Sequence, residues 1–206
     1  TKKFLTKLWN VSRFLSSFPV IESGNPTDTD SWILAELEKL VEECKEGYST
    51  YNFFQPSIAI REFTWNIFAS HYIEMANARA YGIGFPDEER DAAIYTLHRV
   101  LKTVLKLLAP ITPFITEFLW EALYSKESIH KEKFPKALSD TSADINKDLE
   151  RVNAKRADTQ PIIDFNSNVW NEKKAKGLHL PDSIKIDVPK DLEKFKKDLV
   201  AMHHLE

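Results

Sequence analysis

The sequence predicts an all-α helical bundle followed by a small α/β appendage, and three observations support this. Apolar residues recur at steps of three and four through most of the chain, the spacing of one helical face. Only 5 glycines in 206 residues leave little material for tight hairpins or Gly-rich phosphate loops. Near Pro135 the composition shifts, and Ser, Asp and Ala dominate Leu138 to Asp144 like a linker. The chain then divides into a bundle over residues 1–138 and an appendage over 139–206.

Phe4, Leu8, Val11, Leu15 and Phe18 outline a first helix that Pro19 ends. After the Gly24-Asn25-Pro26 loop, Asp28, Thr29 and Asp30 offer cap oxygens for a second helix. Its apolar face runs Ile33, Leu37, Leu40, Val41 and Cys44, with Glu36, Glu42, Glu43 and Glu46 outside and Gly47 loosening its end. Pro56 suits the first turn of a third helix, which reaches about Tyr81 with Ile60, Phe63, Ile67 and Met75 on its core face. A fourth spans about Asp87 to Ala109, carrying Ile94, Leu97, Val100, Leu101, Val104, Leu105 and Leu108.

Thr112 as cap and Pro113 in the first turn open a fifth helix, with Phe114, Ile115, Phe118, Leu119, Ala122 and Leu123 as its apolar residues. Helices with short connections pack as a bundle, antiparallel where neighbours adjoin. In the appendage, helices over about Ile145–Ala157 and Pro161–Lys176 are expected, the second closed by Gly177. Ile184-Lys185-Ile186-Asp187-Val188 alternates like a strand, and Leu192, Phe195, Leu199 and Met202 outline a last helix.

Composition narrows the chemistry. The 13 Phe and 5 Trp fill a core, and a net charge of -3 excludes a uniformly basic coat but not a local basic stripe. A single cysteine, Cys44, excludes a disulfide framework and suits a reducing, cytoplasmic compartment. No stretch approaches the ~20 apolar residues of a membrane helix. The two ends read as cut: Thr1 is not a start methionine, and Leu205-Glu206 is like the scar before a purification tag.

Motifs for phosphate loops, serine hydrolases and zinc peptidases are missing, and the six histidines are scattered, so no catalytic, cofactor-binding or metal residue is assigned. Glu42-Glu43 reads as a solvated surface and Cys44 as a core residue. Lys2, Lys3, Lys7 and Arg13 share the first thirteen residues with no acidic residue, and Trp9 lies off the apolar stripe. Such a face suits phosphate contact and base stacking, or is simply a solvated helix surface.

Lys7-Leu8-Trp9-Asn10-Val11-Ser12-Arg13-Phe14 resembles the KLWNASRF segment that opens the anticodon-binding domain of valyl-tRNA synthetases, class Ia aminoacyl-tRNA synthetases. Trp32-Ile33-Leu34-Ala35-Glu36-Leu37 is similar to the family's W-I-L-S-R-L helix start. Glu62-Phe63-Thr64-Trp65-Asn66-Ile67-Phe68 with Tyr72-Ile73-Glu74 resembles its E-F-x-W-N-x-F-x-x-x-Y-I-E pattern. Leu107-Leu108-Ala109-Pro110 through Pro113-Phe114-Ile115-Thr116-Glu117, then Ser128-Ile129-His130 and Phe134-Pro135, follow the family's order. The tail from Trp170 to Leu180 resembles the appendage of archaeal-type valyl enzymes. Ser70-His71 departs from the Asp-Trp of many relatives, and Gln160-Pro161 interrupts a usually smoother helix.

The resemblance implies a parent enzyme that joins valine to its tRNA with ATP and Mg, and hydrolyses mischarged threonine in a separate editing domain. HIGH and KMSKS signatures are missing from these 206 residues, so the chain itself is expected to be inactive and to hold the anticodon stem-loop. Its partners would be valine tRNA and the parent's catalytic and editing domains, with no membrane and no second copy. Arg13 would stack on a base or fork to phosphate, or else pair with a carboxylate. Lys2, Lys3 and Lys7 would contact phosphate, and Asn10 would read a base edge or join two helices. Trp32 would stack on a base or fill the core; Arg61 and Asn66 divide in the same way. The alternatives are an isoleucyl or leucyl enzyme's domain and a helical protein-interaction module without RNA.

Overall fold

In a computed structural model that describes residues 2–136 and 153–206, the chain is helical from its first described residue. Helix α1 (Lys2–Leu15) buries Leu8, Val11, Ser12 and Leu15, while Phe18 packs into the core from the turn that follows. Helix α2 (Asp28–Ser49) is capped by Thr27 rather than by Asp28, Thr29 or Asp30. The Thr27 hydroxyl accepts from the Asp30 N–H, and the Asp30 carboxylate accepts from the Thr27 N–H at 2.9 Å, a reciprocal capping box. Gly47 does not loosen α2 but lies within it. A Cβ there would stand 2.5 Å from Pro56 Cγ, so glycine is what lets the next helix approach.

The long third element runs from α3 (Phe54–Glu62) through a π-helical segment (Phe63–Tyr72) into α4 (Ile73–Ala80). The Ile73 N–H reaches back five residues to the Phe68 carbonyl. The wider winding rotates the apolar face: Phe63, Phe68 and Tyr72 are buried, whereas Ile67, expected in the core, is only half-buried. Phe63 and Phe68 stack with centroids 6.3 Å apart, and Phe68 stacks on Tyr72 at 5.9 Å.

Helix α5 (Asp87–Leu108) buries every apolar residue of its expected face. Pro113 opens α6 (Pro113–Leu123), but the Thr112 hydroxyl donates back to the Leu108 carbonyl at 3.4 Å instead of capping. A 3₁₀ turn (Ile129–Lys131) follows.

The division at 138 and most of the expected helix over 145–157 lie outside the described residues; residues 153–156 form one helical turn. Beyond them come α7 (Thr159–Ala175), a 3₁₀ segment (Lys190–Phe195) and α8 (Lys196–His203). Pro161 sits in the first turn of α7, where its missing N–H costs nothing, so it does not interrupt the helix. Gly177 follows the C-cap with φ +68°, as the closing position requires. The expected strand over 184–188 does not form. Ile184 makes one parallel bridge to Leu205, and with no further pairing the appendage is helical among the described residues.

The tail packs onto the bundle through polar groups as well as apolar ones. Arg79, fully buried, donates from both terminal nitrogens to Asp30 at 2.7 and 2.8 Å, and its Nε lies 3.2 Å from Asp198 of α8. Tyr72 donates to Asp30 at 2.6 Å and Thr29 to Asp198 at 2.5 Å. Burial pushes the Asp30 carboxyl up, but the bonds and charge of Arg79 outweigh it and hold it below its ordinary value. At Asp198 burial prevails over Arg79 and raises the carboxyl. Glu36, expected outside, is buried under the tail, accepting from Thr159 at 2.6 Å.

A second buried chain runs His71–Asn166–His203. The Asn166 amide meets His71 Nδ1 at 3.1 Å, and its oxygen meets His203 Nε2 at 2.7 Å. Beside it the buried Lys173 ammonium donates to the carbonyls of Leu180 and His203 at 2.6 and 2.8 Å.

Replacing Arg79 leaves two carboxylates uncompensated in the core. Arg79→Met is expected to cost about 3–5 kcal/mol in urea unfolding, and a cost below about 1 kcal/mol would mean the cluster is not structural. Burial, with Lys173, His204 and His71 adding to it, pushes the His203 imidazole down to about 4 from an ordinary 6.5. The unfolded chain then binds more protons between those values. The contribution of neutral His203 to stability is therefore complete above pH 6.5 and declines by about 3 kcal/mol as pH falls to about 4. His203→Gln removes that decline; an equal decline in wild type and variant would assign it elsewhere.

Candidate nucleic-acid interface

With Leu8, Val11 and Leu15 anchored in the core, α1 turns its opposite side to solvent. Lys2, Lys3, Asn10 and Arg13 are exposed, and Trp9 retains 44% exposure among them. Lys2, Thr6, Trp9 and Arg13 follow one another at helical spacing, so the cations and the indole share a face about 17 Å long. No acidic residue occupies the first turn of α1. The charges of Lys2 and Lys3 therefore add to the positive end of the helix dipole instead of neutralising it, and anions are drawn to that end.

Lys7 sits at the edge of the face and is half-buried. Burial raises the Glu74 carboxyl, and the charge of Lys7 partly offsets that rise. Arg13 is exposed on the same helix, near its C-terminal end. Asn10, weighed as an interhelical contact, faces solvent instead.

Two flanks border the face. On one side α1 meets the third element, and Lys3, Phe4, Arg61, Glu62, Trp65 and Asn66 line a hollow of about 400 Å³. Arg61 and Asn66 are both exposed there, and both donate to the Glu62 carboxylate, Arg61 Nη2 at 2.6 Å. On the other side Trp9 stacks on Phe118 of α6, with centroids 5.7 Å apart and an interplanar angle of 24°. Phe118 remains 56% exposed and Phe114 90% exposed, so these two apolar residues of the helix face solvent, as does Ala122. On α6 the buried set is Thr116, Leu119 and Trp120.

Trp32 is the one expected contact residue that the fold removes from the surface. It is fully buried, and its indole N–H donates to the Thr159 hydroxyl at 2.8 Å, so base stacking there is closed off by the tail. The aromatic surface comes instead from Trp9, Phe118 and Phe114. Their signal was present in the sequence: Phe114 and Phe118 lie four apart on the side of α6 that also carries Glu121. Glu62 and Trp65 gave no such signal, because their convergence with Lys3 depends on the third element packing beside α1.

Among the described residues no group of three His, Cys, Asp or Glu could hold a metal ion, and no helix is long and apolar enough to cross a membrane. Cys44 is buried, and burial pushes its thiol up to about 12, so it offers no thiolate at neutral pH.

The family described as the anticodon-binding domain of tRNA ligase matches residues 30–181. The valine–tRNA ligase of Aeropyrum pernix is 36% identical over 98% of this chain and 24% of its own length. That of Nanoarchaeum equitans is 33% identical over 99% of the chain and 25% of its own length, and that of Pyrobaculum aerophilum 35% over 98% and 24%. The chain thus spans about a quarter of the length of these relatives. A match over most of the helical bundle and part of the tail places the chain in the anticodon-binding domain family of tRNA ligases.

Proposed function

We propose that the solvent face of α1, with its two flanks, holds the anticodon stem-loop of a valine tRNA on behalf of a valine–tRNA ligase. The observation that carries this is a face of α1, a helix with no acidic residue of its own, on which Lys2, Lys3 and Arg13 stand around a half-exposed Trp9. Phosphate oxygens need long cationic side chains, and unpaired bases need flat surfaces to stack on. Trp9 and Phe118, stacked on one another and both part-exposed, offer aromatic surface to a base, and Lys2, Lys3 and Arg13 supply charge on the same helix as Trp9. The net charge of -3 leaves that positive potential local, which favours one docking pose over diffuse adhesion.

In this reading the parent enzyme joins valine to tRNA with ATP, and its ATP and Mg site, lacking HIGH and KMSKS here, lies in residues other than these. The chain performs no bond-making step. It positions tRNA, acting in the cytoplasm as one copy per enzyme. The identities of 33–36% to archaeal valine–tRNA ligases support valine over isoleucine or leucine.

Fluorescence anisotropy with valine and isoleucine tRNAs at two salt concentrations tests this. The wild-type chain is expected to favour valine tRNA. Replacing Lys2, Lys3 and Arg13 together by Gln lowers affinity by about tenfold or more, and reduces the slope of log K against log salt by about 0.7–0.9 for each phosphate no longer neutralised. Unchanged affinity and slope in that variant would move the binding surface off α1.

A further inference from the structure

We propose that the hollow between the start of α1 and the π-helical segment is a pocket for one unpaired nucleotide of the tRNA, and that the Glu62 carboxylate selects a base bearing an amino group. This rests on the tRNA reading above and adds to it a base-discriminating subsite.

The volume, about 400 Å³, falls in the ~300–1,000 Å³ range of small-ligand sites and suits a single base rather than a duplex. Phe4 and Trp65 are half-buried and supply apolar, aromatic wall; Lys3 supplies positive charge for the phosphate that accompanies any nucleotide. Against these stands a carboxylate, which would be misplaced in a pure phosphate site. Glu62 is held in place: Arg61 Nη2 donates to Oε1 at 2.6 Å and Asn66 Nδ2 donates to Oε2. Each oxygen keeps a lone pair after accepting one bond, and neither can donate while ionised.

A fixed acceptor-only group discriminates by hydrogen-bond polarity. The amino groups of cytosine, adenine and guanine donate to it, as carboxylates accept from cytosine N4 in base recognition generally. Uracil presents carbonyl oxygens on either side of its single N–H, and those oxygens face the carboxylate with repulsion. The site's preference is therefore for an amino-bearing base over uracil. Trp65 and Phe4 are indifferent to the choice, because every base has a π-face.

The test uses the 206-residue chain and a labelled valine anticodon stem-loop, with each loop base replaced in turn by uridine. In the wild-type chain, one amino-bearing position is expected to lose about tenfold in affinity on replacement. In Glu62→Gln, whose amide can donate to a uracil carbonyl, that loss shrinks to about twofold or less. Lys3→Gln should weaken all loops by one common factor and leave the base preference intact. Binding of the stem-loop with no position sensitive to uridine, or a sensitivity that survives in Glu62→Gln, overturns the pocket while the tRNA reading stands. Failure of the wild-type chain to bind any stem-loop overturns the tRNA reading, and the pocket with it.

Discussion

The guanidinium of Arg79 has no exposure to water, and two carboxylates from distant parts of the chain converge on it. A buried cation is tolerated only when its charge and its donors are met, so the positions of Asp30 and Asp198 are set by Arg79 as much as by their own helices. Asp30 also serves as the acidic partner of the α2 capping box, and Tyr72 donates to it from the π-helical segment. One carboxylate thereby starts a helix, neutralises a buried charge and orients the third element. Through Asp198 the same cluster docks α8, and with it the tail that closes over Trp32 and Glu36.

The interface is a by-product of that packing. The third element is pinned at its C-terminal end by Arg79 and widened in its middle by the π winding, which presents Trp65 and Asn66 beside the start of α1. Because α1 is fastened by Leu8, Val11 and Leu15, its cations stand on a rigid helix and not on a loop. Rigid placement matters for recognition of a flexible RNA loop, since ordering both partners on binding would subtract from the affinity.

Much of the fold was legible from periodicity. The α5 face and the breakers at Pro19, Pro113 and Gly177 needed no tertiary information. What periodicity could not show was anything that depends on a second element arriving. Ile67 and Phe68 exchange roles because the helix changes winding, and a 3.6-residue template has no means of registering that. Trp32, Glu36 and His71 lose their solvent to the tail, which lies more than a hundred residues away for the first two. The departure Ser70-His71 acquires a physical reason in this way, since His71 completes the hydrogen-bond chain to Asn166 and His203. For the site, the basic stripe and Trp9 were readable on α1 alone. The Glu62 hollow was not, since it is made by two elements meeting.

The separation between Thr29 and Asp198 is 169 residues. A ribosome adding about 5–20 residues per second needs on the order of ten seconds to travel from Arg79 to Asp198. For that interval Asp198, the second counter-charge of Arg79, does not yet exist. In order of synthesis α8 is therefore the element that completes the cluster. A chain arrested before α8 would lack the carboxylate that Arg79 and Thr29 share at Asp198.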